Sequence, residues 1–220
     1  MKTIFKGTVS KAGDGHNEDS YGVSINKSLA VVCDGATESF DSRSWSRFLV
    51  KHFMRSPAFG RHCGGSLRNW INRAVQAYNQ SLDLSSLSWS QEIAFNRGSY
   101  STLIAIKEMR NGLLLISGVG DSIVAVLDVL ISTLANKNNV LPSDDQMIKE
   151  ICVSNFRAPV VLCMTDALGQ WFLNQNERDI KRLLAIRSSS GLEALVRRER
   201  KKGRMRVDDT TLIHISLDQY

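Results

Sequence analysis

The chain has 220 residues, of which 43% are hydrophobic and 23% charged, and its formal net charge is +6. This length and composition suit one domain with a sizeable core and exclude a disordered or collagen-like polypeptide. No apolar run reaches the ~20 residues of a membrane helix, and the N-terminus lacks the apolar core of a secretion signal. Four scattered cysteines form no CxxC pair, so we expect no zinc site and a cytoplasmic location.

The positive charge is concentrated in one segment. Seven basic residues and one acidic residue lie between Arg197 and Arg206, so this basic run carries a net +6 and the remainder is neutral. It could be a solvated helix face and loop, or it could contact a phosphate group. No aromatic residue is interleaved with these charges, which argues against nucleic-acid binding.

Apolar periodicity predicts the elements of the first half of the chain. Strands are expected at 2–9, 19–25 and 28–33. Helical spacing predicts one helix at 43–55, with Ser42 as its N-cap, and another at 66–82. The Ser-rich segment 83–97 fits no single pattern.

The second half returns to strands and then to helices. The predicted strands are 99–107, 113–119, 122–130, Pro159 to Asp166 and the final TTLIHISL. The segment 131–158 is polar and loop-like, with a short helix expected at 143–151. Helices are expected at 176–186 and 190–202. This order predicts an α+β sandwich with mostly antiparallel sheets.

Acidic side chains stand at the ends of several of these strands. An unpaired carboxylate beside a core strand is costly to desolvate, and several converging carboxylates cost more unless cations lie between them. Carboxylate and carbonyl oxygens suit Mg²⁺ or Mn²⁺. Each acid taken alone could equally be a cap or turn residue, so the hypothesis depends on the set. Its members are Glu18, Asp19, Asp34, Asp166, Asp208 and Asp209.

The set resembles a known family. Six fragments in the same order over nearly the whole chain resemble the metal-dependent Ser/Thr protein phosphatases, the PPM or protein phosphatase 2C family, in a compact bacterial form. The fragments are NEDSYG, LAVVCDGAT, GSYSTLIAI, GVGDSIVAVL, VVLCMTDALGQW and VDDTTLIHI. The resemblance implies a four-layer α-β-β-α sandwich, formed by residues 1–220 as a single catalytic domain. The family's flap would be shortened here, between 131 and 158.

The resemblance also implies a role for each acidic residue. Two Mn²⁺ or Mg²⁺ ions would be bridged by Asp34, with Asp166 and Asp208 completing the first site. Glu18 and the carbonyl of Gly35 would serve the second. The remaining acids are Asp121, which could reach a third ion, and Asp19 and Asp209, which would orient the ligands.

The implied reaction is hydrolysis of phosphoserine and phosphothreonine in proteins. A water shared by the two ions would lose a proton near neutral pH and attack phosphorus in line, so no covalent phosphoenzyme would be needed. A partner kinase is expected.

The chain departs from the family pattern where a phosphate-binding arginine is usual. Asp14 stands at that place and would repel phosphate. Arg204 or Arg206 could supply the contact instead, because the basic run ends just before Asp208. His16 could likewise contact the phosphate, or it could act as a proton donor, since Ala36 occupies the place of the family's histidine.

Two alternatives to this enzyme remain open. A catalytically weak pseudophosphatase would keep the fold and bind phosphoproteins, as Asp14 and Ala36 suggest. Retention of four ligand carboxylates opposes it, because a scaffold has no need for a repulsive acidic cluster. The second alternative is a metal-dependent hydrolase of another phosphoester, such as a nucleotide.

Overall fold

A computed structural model describes residues 1–11, 16–60, 65–128, 140–142, 147–154 and 156–217. The strands are β1 Lys2–Val9, β2 Ser20–Ser24, β3 Leu29–Cys33, β4 Leu103–Glu108, β5 Leu113–Val119, β6 Ile123–Asp128, β7 Val140–Pro142, β8 Met147–Cys152, β9 Pro159–Met164 and β10 Thr210–Ser216. The α-helices are α1 Ser42–Arg55, α2 Leu67–Gln80, α3 Trp89–Arg97, α4 Asp166–Leu173, α5 Glu177–Leu184 and α6 Ser189–Lys201, and a 3₁₀ turn covers Leu84–Ser86.

The strands form two five-stranded sheets. One has the order β1-β10-β9-β6-β7 and the other β2-β3-β4-β5-β8. The strand pairs of the described residues are all antiparallel. The predicted α+β class with antiparallel sheets is therefore confirmed.

Four layers enclose three apolar clusters. Successive residues of β3 show the arrangement: Val31 packs against α1 and α2, whereas Val32 packs between the two sheets. A third cluster joins the other sheet to α4, α5 and α6. Central strands buried on both faces explain why runs such as LAVVC and PVVLCM are continuously apolar. The expected α-β-β-α sandwich is the observed fold.

The antiparallel pairing brings the acidic strand ends together. Ser20 of β2 pairs with Cys33 of β3, so the acids before β2 lie beside the acid after β3. Leu212 of β10 pairs with Met164 of β9 in the same way. Because the start of one strand adjoins the end of its neighbour, four carboxylate segments meet at one edge of the sandwich.

Some local predictions were wrong. The segment expected as a helix at 143–151 contains strand β8, which pairs with the edge of β5 and satisfies backbone groups that would otherwise be open. The N-cap of α1 is Asp41 rather than Ser42, and its side chain accepts a hydrogen bond from the Ser44 N–H. Strand β4 begins at Leu103, four residues later than expected.

Two helices were not predicted. Helix α4 follows β9 and is buried on most sides, so its sequence DALGQWFL shows no polar face. Helix α3 lies in the ambiguous segment 83–97, and none of its residues is buried. In the described part of the chain, no helix has the length and apolar character needed to cross a bilayer.

Candidate active site

A cleft of about 390 Å³ lies at the edge where the acidic strand ends meet. Four aspartates and one arginine give it its chemical character. Its walls are formed by Asp34, Gly35, Ala36, Thr37, Tyr100, Ser101, Thr102, Asp121, Asp166, Arg206 and Asp208. Acids that are up to 174 positions apart in sequence thus face one space, as the motif analysis expected for Asp34, Asp121, Asp166 and Asp208.

The peptide of Asp34 is fixed by the segment before β4. Its N–H donates to Thr102 Oγ1 at 3.2 Å, and its carbonyl accepts from the Ser101 hydroxyl at 2.8 Å and from the Thr102 N–H at 2.9 Å. Ser122 lies 2.6 Å from Thr102 through their hydroxyl oxygens. The serines and threonines of the GSYST and GDS fragments therefore position the first acid of the cleft.

The Asp34 carboxyl is held in an acidic environment. Partial burial, followed by the charges of Asp19, Asp166 and Asp208, raises its pKa to about 9. Its carboxyl group also shares a hydrogen bond with that of Asp19, whose pKa burial raises to about 7. Such a cluster favours binding of a cation, because a cation would relieve the repulsion among its carboxylates.

Arg206 supplies positive charge on one side of the cluster. Its guanidinium donates to Asp166 and, at 2.8 Å, to Asp208 Oδ2. Burial nevertheless raises the pKa of Asp166, against the lowering effect of Arg206. Asp166 Oδ1 is buried without a hydrogen-bond partner in the described structure, so this oxygen retains an unused acceptor.

Glu18 lies beside the cleft rather than in its wall. Its carboxylate accepts from Lys11 Nζ at 2.6 Å, from Thr37 Oγ1 at 2.7 Å and from the Ser42 hydroxyl. Burial opposes ionisation, but these hydrogen bonds outweigh it and lower the pKa of Glu18. Thr37, which does line the cleft, therefore links Glu18 to the site.

Two further acids, Asp19 and Asp209, hold the segments of the site together through hydrogen bonds. The buried Asp19 accepts from Thr165 at 3.0 Å and from Thr211 at 2.7 Å, and so joins the two sheets. Asp209 accepts from the backbone N–H groups of Lys11 and Glu18, both at 2.7 Å. These contacts agree with the predicted orienting role of both residues, which stays a prediction.

Gly35 is placed where a side chain would collide with the backbone. A Cβ atom there would lie 2.7 Å from the Ser42 carbonyl oxygen and 3.1 Å from that of Glu18. The Gly35 N–H donates to the Glu18 carbonyl at 3.3 Å. The glycine therefore lets the end of β3 approach both Glu18 and the start of α1.

The donor chemistry of the site fits a divalent metal ion. The donors are carboxylate and carbonyl oxygens, which hard cations prefer, and Asp166 Oδ1 has no other partner in the described structure. Among the described residues, however, no three His, Cys, Asp or Glu side chains are close enough together to hold an ion. In the described structure Arg206 pairs with Asp166 and Asp208, and Lys11 pairs with Glu18.

The other predicted phosphate contacts lie outside the cleft. Arg204 pairs with Glu199 and, at 3.4 Å, with Asp179. His16 is exposed, and its carbonyl accepts a hydrogen bond from Ser10 at 2.6 Å. Asp14, the unusual residue of the first motif, lies outside the described residues.

The basic run is mostly bound to the protein itself. Arg200 donates to the Asp208 carbonyl and to Thr210 Oγ1 at 3.0 Å, and Arg197 pairs with Glu193. Arg198 pairs with Glu199 at 2.8 Å. The run therefore fixes the approach to β10, and Arg206 is its member in the cleft.

Sequence reasoning missed most of the neutral supports of the site. Ser101, Thr102 and Ser122 hold Asp34, and Thr37 and Ser42 hold Glu18. All of these hydroxyl residues except Ser42 stand in the quoted fragments, but their partners depend on how the loops meet in space. The sequence motifs likewise assign no role to Lys11, which pairs with Glu18 at 2.6 Å.

No protein-family model and no curated protein matches the sequence. Solved structures do match it over nearly its whole length. A bacterial serine phosphatase has 17% identity, covers 99% of both chains and gives a TM-score of 0.58. Serine/threonine phosphatase Stp1 from Staphylococcus aureus has 20% identity, covers 99% of this chain and 96% of its own, and gives a TM-score of 0.59.

One similar structure contains metal. The catalytic domain of the serine/threonine protein phosphatase PstP, solved in complex with two manganese ions, has 16% identity and a TM-score of 0.56, and it covers 99% of this chain and 100% of its own. At these identities the likeness concerns the fold. The chain has the fold of the bacterial serine/threonine phosphatases, as its sequence motifs predicted.

Proposed function

We propose that the chain is a metal-dependent phosphatase that hydrolyses phosphoserine and phosphothreonine in cytoplasmic proteins and opposes a bacterial kinase. The observation that carries this proposal is the cleft in which Asp34, Asp121, Asp166 and Asp208 face Arg206, within a fold shared with bacterial serine/threonine phosphatases. A phosphate-directed arginine beside a cation-seeking acidic cluster suits binding of a phosphoester.

Each residue would bind metal or position a ligand as the motifs suggest. Asp34, Asp166 and Asp208 would hold one Mn²⁺ or Mg²⁺ ion, and Asp34, Glu18 and the Gly35 carbonyl a second, with Asp121 as an extra ligand. Bound divalent ions supply an activated water and stabilise charge on the phosphoryl oxygens. Asp19 and Asp209 would keep the ligand segments in place through their contacts with Thr165, Thr211 and two backbone amides.

Arg206 would pair first with two carboxylates of the cleft and then with the phosphate of the substrate. It neutralises Asp166 and Asp208 in the described structure, and it would release them when a cation binds. The freed guanidinium remains in the wall of the cleft and can form a fork-like pair with phosphate oxygens. This arrangement replaces the arginine that the family carries at the position of Asp14.

A phosphate-release assay tests the proposal. Wild type is expected to hydrolyse a phosphothreonine peptide and p-nitrophenyl phosphate with Mn²⁺ and not with a chelator. Asp34→Asn should reduce turnover at least ~100-fold, since a ligand shared by two ions is lost. Asp83→Asn is the matched control, because Asp83 is an exposed residue that caps the 3₁₀ turn. Equal rates for wild type and Asp34→Asn would contradict the proposal.

A phosphoprotein-binding module without turnover is the second candidate. The observation in its favour is that Arg206 and Lys11 already neutralise carboxylates of the cluster, so the fold does not require metal ions for charge balance. It predicts that calorimetry detects phosphopeptide binding by a protein that releases no phosphate with any divalent ion. Turnover with Mn²⁺ would exclude it.

A further inference from the structure

An apolar groove lies next to the acidic cleft. Its volume is about 190 Å³, and it is formed where α1, α2 and α3 meet the segment before β4. The groove is larger than the ~150 Å³ cavity that accommodates a benzene molecule in another protein, so a leucine or phenylalanine side chain fits it by size. Its principal walls are Trp45, Val75, Asn79, Phe95, Ser99 and Tyr100.

The floor of the groove is a fixed aromatic surface. Trp45 is buried, and its ring centroid lies 4.9 Å from that of Tyr78. Phe95 packs edge-on against Phe40 with a centroid distance of 5.5 Å. Because both floor rings are held by other aromatic rings, the groove is formed before any ligand arrives, and binding costs little ordering of the protein.

The rim of the groove carries two of the exposed large apolar side chains of the described structure, Val75 and Tyr100. Eight large apolar side chains are exposed among the described residues, and five of them lie between positions 75 and 100. Val75 is 39% exposed and Tyr100 62%. Exposed apolar side chains at the rim of a formed groove are suited to contact an apolar group of a ligand.

Tyr100 connects the groove to the cleft, because it lines both spaces. Its carbonyl accepts from the Ala36 N–H at 3.0 Å, and its hydroxyl donates to the Arg97 carbonyl at 2.9 Å, so the residue is held at both ends. The cleft and the groove therefore adjoin each other at Tyr100.

We propose that the groove is a substrate subsite that receives an apolar side chain two residues from the phosphorylated residue. In an extended peptide, residues i and i+2 point to the same side, whereas i+1 points away. A phosphate directed into the cleft thus places the side chain two positions away over the neighbouring groove. The inference rests on the proposed function and names its substrate class: phosphopeptides with leucine or an aromatic residue at that position.

A peptide series tests the subsite. The parent is an alanine-rich phosphothreonine peptide, and leucine replaces alanine at −2, −1, +1 or +2 in turn. Leucine at −2 or +2 is expected to raise kcat/KM about tenfold, as is usual for an apolar pocket that gains a side chain. Leucine at −1 and +1 should give no gain. Equal kcat/KM for all five peptides would overturn the proposal.

Variants of Val75, on the rim of the groove, test whether the groove causes the gain in kcat/KM with leucine. Val75→Asp places a charge in the groove and Val75→Trp fills it, so both should abolish the leucine gain and leave the alanine peptide and p-nitrophenyl phosphate unaffected. Ile25→Asp is the matched control, since Ile25 is 59% exposed and lies in the turn between β2 and β3. A gain that survives both Val75 variants would overturn the proposal.

Two further measurements test the subsite without relying on turnover. Calorimetry with Asp34→Asn compares affinity for the leucine and alanine peptides, so the subsite is judged even if the phosphatase proposal fails. Tighter binding of the leucine peptide supports the subsite, and equal binding overturns it. Sedimentation of wild type and Val75→Asp checks self-association: a dimer that the variant dissociates would assign the groove to a second copy and overturn the proposal.

Discussion

Arg206 and Asp166, forty positions apart in sequence, form an ion pair at the mouth of the acidic cleft. The same guanidinium also pairs with Asp208 at 2.8 Å. One cationic side chain therefore pairs with two of the three acids proposed to hold the first metal ion, and it would compete with such an ion for them.

Replacing Arg206 should change metal and phosphate binding in opposite directions. Arg206→Ala is expected to tighten Mn²⁺ binding about fivefold, because the ion no longer displaces a guanidinium; an ion pair whose arginine is mostly exposed is worth up to ~1 kcal/mol. The same change should raise KM for the phosphopeptide, because the phosphate loses its arginine. Calorimetry with Mn²⁺ and steady-state kinetics measure the two effects separately.

Arg204→Ala is the matched control for that prediction. Arg204 pairs with Glu199 and Asp179, away from Asp34, so its loss should lower the melting temperature and leave Mn²⁺ affinity unchanged. If the two alanine variants bind Mn²⁺ alike, competition by Arg206 is refuted.

Gly35→Ala should destabilise the protein. The new methyl group would lie 2.7 Å from a backbone oxygen of Ser42, which cannot move without shifting the start of α1. Overpacking of this kind costs about 1–3 kcal/mol, which is a drop of roughly 3–10 °C in Tm for a chain of this size. Differential scanning calorimetry of the metal-free protein measures it.

Gly191→Ala provides the comparison for Gly35. Gly191 lies in the first turn of α6, and a Cβ there would meet only the Ser188 hydroxyl at 3.3 Å and an Ile186 methyl group at 3.8 Å. Its Tm should stay level or rise, since alanine favours a helix over glycine. Equal Tm changes in the two variants would show that Gly35 is not sterically constrained.

His214 should make the protein less stable in mild acid. Burial, followed by the positive charge of Arg187, lowers the pKa of His214 from its ordinary 6.5 to about 4. Between these values the unfolded chain binds the proton and the folded chain does not, so stability falls as pH decreases from about 6.5 to 4. The contribution lost reaches about 3 kcal/mol for a shift of this size.

Chemical denaturation of wild type and His214→Leu across pH 4–7 measures this contribution. Both proteins keep the same carboxylates, so the difference between their unfolding free energies isolates the histidine. As pH falls from 7 to 4, the unfolding free energy of wild type should decrease by about 3 kcal/mol more than that of His214→Leu. Parallel curves would show that His214 is protonated equally in the folded and unfolded states.

The acidic residues of the cleft could be predicted from the sequence because they lie at the ends of strands. Asp34 directly follows the apolar strand β3, and Asp208 lies just before the buried strand β10, so antiparallel pairing was enough to place them at a common edge. The fold class followed from the same order of strands and helices. Both depend on chain-local patterns and on simple pairing rules.

What the sequence did not reveal depends on contacts across the chain. Helix α4 lacks a polar face because it is buried on most sides, and β8 is a strand because β5 offers it an open edge. The basic run suggested a phosphate contact, yet Arg204 pairs with the buried carboxylate of Glu199 instead. Partner choice of this kind is decided by proximity in space, which composition and periodicity do not encode.

Asp209 has a consequence for how such a site can diversify. It accepts from the amide of Lys11 on one side of positions 12–15 and from the amide of Glu18 on the other. Both ends of this segment are thereby tied to the start of β10, independently of the residues between them. Substitutions or insertions at 12–15 are therefore expected to leave both hydrogen bonds, and with them the position of Glu18, in place, which gives this stretch of sequence freedom to diversify.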